Sequence, residues 1–138
     1  MFEEPVMSAD AVITTGVRRG ATVLSCSGEV DITSVAALRA KVDESLASRP
    51  PALVIDLLEV RFFGSSGISA LVAAQEHANR VGVPLGVVAA GRPVLRPLEA
   101  TTVDRVLTMF TSVDAAVAAM LPADEDREAS GTPRGETA

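Results

Sequence analysis

Four small residues, Gly64-Ser65-Ser66-Gly67, follow two aromatics and lead into an apolar periodic segment in "FFGSSGIS". Serine hydroxyls at the mouth of a helix can act as a nucleophile, line a phosphate cradle, or accept a phosphoryl group. A nucleophile elbow needs Gly-x-Ser-x-Gly. With Ser66 at its centre, the second glycine would fall on Ile68. The one histidine, His77, lies about three turns further along the same helical segment, out of reach of a serine at its start. A P-loop needs a lysine after its second glycine, and the one lysine is Lys41, far upstream. Asp56, read as the end of a buried strand, stands where a phospho-acceptor aspartate would. That chemistry also requires an acidic pair after the first strand and a lysine after the last, and the chain has "MFTS" there.

The structural reading of the same residues is simple. Gly64 would allow a turn of unusual φ, Ser65 or Ser66 would cap a helix, and Gly67 would let it pack closely. Two hydroxyls would then stand at the positive end of that helix. A phosphoryl group placed there would be stabilised by unpaired N–H groups and the helix dipole.

The elements that must position this turn can be read from periodicity. "AVITTGVRRGATVLSCSG" reads as two strands joined at Arg19-Gly20, rich in β-branched and aliphatic residues. Val35, Leu38, Val42 and Leu46 make one helical stripe, with Thr33 or Ser34 as N-cap and Arg49-Pro50-Pro51 as terminator. "ALVIDL" is a continuous apolar run, expected to be a strand covered on both faces. A second helix starts near Ser65, carries Ile68, Leu71, Val72, Gln75 and Ala78 on one side, and closes at Gly82 and Pro84. "LGVV" reads as a buried strand, "RPVLRPLEA" as a short helix from Pro93 strained by Pro97, and "RVLTMF" as a last strand. Ser112 should cap a final helix on which Val113, Ala116, Val117 and Met120 align.

Strands alternating with helices predict an α/β single domain. Its mixed sheet should be mostly parallel, with an antiparallel N-terminal edge and about four helices. The Gly-Ser-Ser-Gly turn falls at the carboxyl edge of that sheet, where such folds bind their ligands. Residues 1–9 read as a loose leader and 10–121 as the domain. Residues 122–138, with five acids against two arginines and no periodicity, read as a disordered tail dispensable for folding.

Composition narrows the function. Of 138 residues, 3% are aromatic, with no Trp or Tyr, so stacking on single-stranded nucleic acid is not expected. The net charge of −6 and arginines scattered along the sequence also argue against nucleic acid. A lone cysteine, Cys26, forms neither an intramolecular disulfide nor a zinc cluster, and its strand context predicts a buried, inert thiol. The N-terminal stretch "MFEEPVMSAD" has no signal-peptide pattern, and no run approaches the ~18 apolar residues of a membrane span. A cytoplasmic location, no membrane contact, no metal and no cofactor are the expectations. Oligomeric state carries no signal.

"GEVDI" (Gly28–Ile32), "LVIDLLEVRFFGSSGISALVAA" and "LEATTVDRVLTMFTSVDAAVAAM" together resemble a STAS domain, specifically a bacterial anti-sigma factor antagonist. The resemblance covers roughly residues 10–121 and implies a regulatory protein rather than an enzyme. Its partners would be an anti-sigma factor with a kinase-type ATPase fold and a serine phosphatase. It implies Ser65 as the phospho-acceptor, with Ser66 as second choice, and Gly67 as the glycine of the motif. Asp31, Thr33, Gly64, Ser65, Ser66 and Gly67 would form the partner-binding edge, and Asp56, the family's strand-end acid, would brace the loop. Gly64 stands where the family usually has Asp, and Thr102 where glycine is common. The alternative is an unmodified STAS binding or scaffold module, such as a subunit of a lipid-transport or signalling assembly.

Overall fold

A two-residue strand, Val6–Met7 (β1), pairs antiparallel with Ala11–Arg18 (β2), so part of the segment read as a leader joins the sheet. The computed structural model describes residues 6–7 and 10–122; the rest of the leader and positions 123–138 of the acidic tail lie outside the described residues. β2 turns into Ala21–Val30 (β3) through Arg19 and Gly20, both at positive φ (55° and 92°), the geometry of a tight twisted hairpin.

From β3 onward all pairing is parallel. Val35–Ala47 (α1) leads to Leu53–Phe63 (β4), Ser65–Val81 (α2) to Leu85–Val88 (β5), and Arg92–Ala100 (α3) to Met109–Phe110 (β6). Val113–Met120 (α4) follows, with the Ser112 hydroxyl accepting from the Ala115 amide, as expected of its cap. The strand order is sequential, β1 to β6. Crossovers of one hand stepping in one direction place successive helices on the same face. Accordingly Leu38, Leu46, Leu71, Val94 and Leu98 from α1, α2 and α3 share one core with Leu53, Ile55 and Leu57 of β4. On the opposite face α4 contributes Ala116 and Val117 to a smaller core with Val23, Val54 and Val88. The run "ALVIDL" is thus covered on both sides, as its continuous apolarity implied.

β4 differs from its expected length, and the reason matters for the site. Its pairing with β3 shifts twice: Ser25 pairs with Asp56 but Ser27 with Glu59, and Gly28 with Val60 but Glu29 with Phe62. Each shift places one extra residue in β4, a β-bulge. The core-facing residues after Leu57 therefore fall at Val60 and Phe63, every third position rather than every second. A strand bent in this way carries both phenylalanines inside the sheet, up to Gly64. Asp56 accordingly sits mid-strand, not at a strand end. Its carboxylate accepts from the Leu58 amide (3.0 Å) and lies 3.5 Å from the Ser25 hydroxyl, so it braces the first bulge rather than the serine turn.

The last strand is shorter than expected because Thr102 adopts φ +58° and Val103–Arg105 coils into a 3-10 turn. A β-branched residue in the left-handed region is strained by about 1–2 kcal/mol. This gives the glycine that the resemblance implies at that position a physical meaning. Thr102→Gly should raise the melting temperature by a few degrees, since relief of strain outweighs the extra freedom of glycine in the unfolded chain. Thr101→Gly, at φ −97° and losing the bond from the Thr101 hydroxyl to the Pro97 carbonyl, should lower it. Thermal unfolding of the pair, compared with the parent, checks the assignment; equal shifts would contradict it.

Candidate functional site

Parallel pairing of Glu29 with Phe62 and Val30 with Phe63 delivers two loops to the same sheet edge. The Gly64 amide then donates to the Val30 carbonyl at 2.9 Å, tying the second loop to the first. The predicted residues of "GEVDI" and "GSSG" are therefore brought together.

Gly64 is the N-cap of α2, with φ −89° and ψ −175°. This is extended backbone open to any residue, so the unusual φ expected of it is not found. What constrains Gly64 is space: a Cβ there would meet the Phe62 ring at 3.2 Å. The requirement at Gly67 is stricter. A Cβ on Gly67 would stand 2.8 Å from the Phe63 ring and 3.0 Å from Val30 Cγ1, so the first turn of α2 can lie on the strand ends only without a side chain there.

Ser65 is the first helical residue and is exposed; Ser66 is half-buried. Neither caps the helix, and its first turn holds no acid. The amides of Gly67 and Ile68 bond back to the Gly64 carbonyl, while those of Ser65 and Ser66 have no protein acceptor among the described residues. An exposed hydroxyl, two available N–H donors and an uncompensated helix dipole thus coincide at Ser65. Such a place favours negative charge.

The Asp31 loop has a different character. Asp31 Oδ1 accepts from the Thr33 amide (3.0 Å), the Thr33 hydroxyl (2.7 Å) and the Ser34 amide (3.1 Å). The Ser34 hydroxyl in turn accepts from the Asp31 amide and donates to the Glu29 carbonyl, while the Val35 amide donates to the Asp31 carbonyl. Ser34 is the N-cap residue of α1 without making the usual side-chain cap; Asp31 satisfies these first donors instead. The hydrogen bond from the Thr33 hydroxyl, more than any other influence, holds the Asp31 carboxyl below its ordinary range. The side chain that reaches furthest from this loop is Ile32, 83% exposed. Phe62, 50% exposed, is its counterpart beside Gly64. The sequence reading passed over both, because nothing in an apolar residue next to a turn tells whether it points inward.

The remaining chemistry-bearing residues are engaged elsewhere. Cys26 is buried in the core, and its thiol is pushed up to about 11 by burial and by the charge of Asp56, which keeps it unreactive at neutral pH. His77 Nδ1 lies 3.2 Å from Asp43 Oδ1, joining α2 to α1. Lys41 is buried and pairs with Glu44 at 3.1 Å. Carboxylate oxygens of Asp10, Glu29 and Asp31 lie within 4.8 Å of one another, giving the β3 side of the edge a negative character.

Because the folded-state pKa of Asp31 is depressed, its contribution to stability is complete above the ordinary value of 3.8 and is lost as pH falls through the lowered one. Asp31→Ala should therefore lower the melting temperature at neutral pH, and the difference from the parent should close on acidification below about 3.8. Asp31→Asn, which keeps an acceptor oxygen but carries no charge, should behave like the protonated carboxyl, less stable than the parent at neutral pH and level with it at low pH. Melting curves across pH test this; a gap unchanged at low pH would contradict it.

Residues 10–116 match the STAS domain family. The chain is 39% identical over 109 residues to the anti-sigma-F factor antagonist RsfB of Mycobacterium tuberculosis, an alignment covering 78% of this chain and 88% of the relative. The crystal structure of an anti-sigma factor antagonist from Mycobacterium paratuberculosis superposes with a TM-score of 0.76 at 34% identity, covering 83% of this chain and 98% of that one. The Bacillus cell fate determinant SpoIIAA in its phosphorylated form gives a TM-score of 0.56 at 16% identity over 83% of this chain and 96% of that one, a likeness of fold alone. With the sheet order, the paired loops at its carboxyl edge and the match over nearly all the described residues, the chain belongs to the STAS domain family.

Proposed function

We propose that the protein is an anti-sigma factor antagonist switched by phosphorylation of Ser65. In its unmodified state it binds an anti-sigma factor with a kinase-type ATPase fold, and the sigma factor is released. The kinase phosphorylates Ser65, which ends the complex, and a serine phosphatase restores it. The catalysts are the partners; this chain is substrate and ligand, acting in the cytoplasm. No helix among the described residues is long and apolar enough to cross a membrane.

One observation carries the reading: Ser65 stands exposed at the first position of α2, beside amides with no protein acceptor, in a chain 39% identical to an anti-sigma-F factor antagonist. Ser66, half-buried behind it, is the second choice. A partner-binding edge of Asp31, Thr33, Gly64, Ser65, Ser66 and Gly67 divides by role. Asp31 and Gly67 shape the loops, and Ser65, with the exposed Thr33, meets the partner.

A second reading, an unmodified binding module, draws on Gly64. Gly64 stands where the resemblance implies an aspartate beside the acceptor, and a side chain there would press on the Phe62 ring. One experiment separates the two. Incubation with a cognate anti-sigma factor and ATP should add one phosphoryl group by intact mass. Ser65→Ala should abolish the addition and Ser66→Ala should retain it. Labelling at Ser66 would move the acceptor, and no labelling of the folded protein would favour the unmodified module.

A further inference from the structure

The end of β4 and the flank of α3 line an open groove of about 500 Å³. Phe62, Phe63, Pro93 and Pro97 give it an apolar lining. Arg61, Arg92 and Arg96 complete it, all three exposed. Arg92 and Arg96 stand one turn apart on α3, and Arg61, from β4, joins them only through the fold. Among the described residues none of the three forms an ion pair, and Glu99 lines the adjoining hollow along α3. In a chain of net charge −6 this is a local concentration of the opposite sign.

From this arrangement we infer a second docking surface: the groove receives an acidic segment of a partner protein that also carries an aliphatic or aromatic side chain. The inference rests on the antagonist reading, with the groove as the part of the anti-sigma factor contact that phosphorylation does not touch. A half-exposed aromatic flanked by arginines has the composition of an interface hot spot. Arginine in particular pairs with carboxylates in two-pronged fashion. The occupant is protein rather than nucleic acid because one exposed phenylalanine gives no succession of stacking platforms. The Asp10, Glu29 and Asp31 carboxylates further along the same edge would also repel a phosphodiester chain. A small ligand is disfavoured because the groove is open and its arginines are exposed to solvent rather than buried around it.

The test is a titration of the full ¹⁵N-labelled chain with a synthetic octapeptide alternating Glu and Leu, and with its Lys-for-Glu counterpart. The acidic peptide should shift the amides of Arg61, Phe62 and α3, and the basic one should not. Arg92→Glu combined with Arg96→Glu should weaken binding at least fivefold, and so should Phe62→Ser. Ser65→Asp should bind the peptide like the parent, which keeps the two ideas separable. Absent binding in the parent, shifts elsewhere, or equal affinity for both peptides would overturn the groove and leave the Ser65 switch standing. Tighter binding to a twelve-residue oligothymidylate or to anionic phospholipid vesicles would also overturn it. Failure of Ser65 to accept phosphate would overturn the switch and leave the peptide result intact.

Discussion

The parallel pairing of the last residues of β3 with the last residues of β4 is the constraint on which the site depends. It sets Val30 beside Phe63, lets the Gly64 amide reach the Val30 carbonyl, and leaves room for Gly67 alone to cross the Phe63 ring. Two bulges in β4 make that pairing possible by feeding extra residues into one strand of the pair. Gly28, at φ +95° with the Asp10 carbonyl 2.3 Å from where a Cβ would stand, accommodates the second bulge from the β3 side. The Glu29 amide bonds to that same Asp10 carbonyl. The hydroxyl of Ser65 is thus placed by a chain of backbone contacts, with little left to side-chain choice.

A second consequence follows from the sheet order. Folds that bind cofactors between helices on opposite faces do so where the strand order reverses. Here the order runs sequentially and α1, α2 and α3 share one face, so the carboxyl edge has no such crevice. It presents a surface instead, acidic along β3, bare at Ser65 and basic along α3. A surface of that kind suits a protein partner, and its charge pattern fixes orientation as well as attraction.

The elements were largely legible in the sequence because helix stripes and buried strand runs have distinct periods. The stripe Val35–Leu38–Val42–Leu46 and the cap at Ser112 stand where periodicity put them. β4 was legible only to Leu57: beyond the first bulge its core residues recur every third position, a period belonging to neither regular structure. Asp56 was misplaced for the same reason, as an acid in a strand looks like its end unless a bulge amide needs an acceptor. β6 was overextended because the left-handed turn at Thr102 has no compositional signal when glycine is absent. Of the site, the serine turn was readable from its small residues. The convergence of Arg61, Arg92 and Arg96 was not, since it depends on how α3 lies across β4.

The proposed switch would rest on electrostatics acting in opposite directions on two equilibria. A phosphoryl group adds about −1.5 to −2 charges. At the start of α2 it would meet available amides and the helix dipole, worth roughly 0.3–1 kcal/mol. Buried against a partner surface shaped for a hydroxyl, the same charge would lose its water without gaining a counter-ion. The most direct measurement is the affinity of purified unmodified and Ser65-phosphorylated protein for one anti-sigma factor, alongside their melting temperatures. The account predicts affinity at least about 100-fold weaker for the phosphorylated form, some two decades at ~1.4 kcal/mol each, with a melting temperature equal or higher. Equal affinities, or a melting temperature that falls along with the affinity, would contradict it.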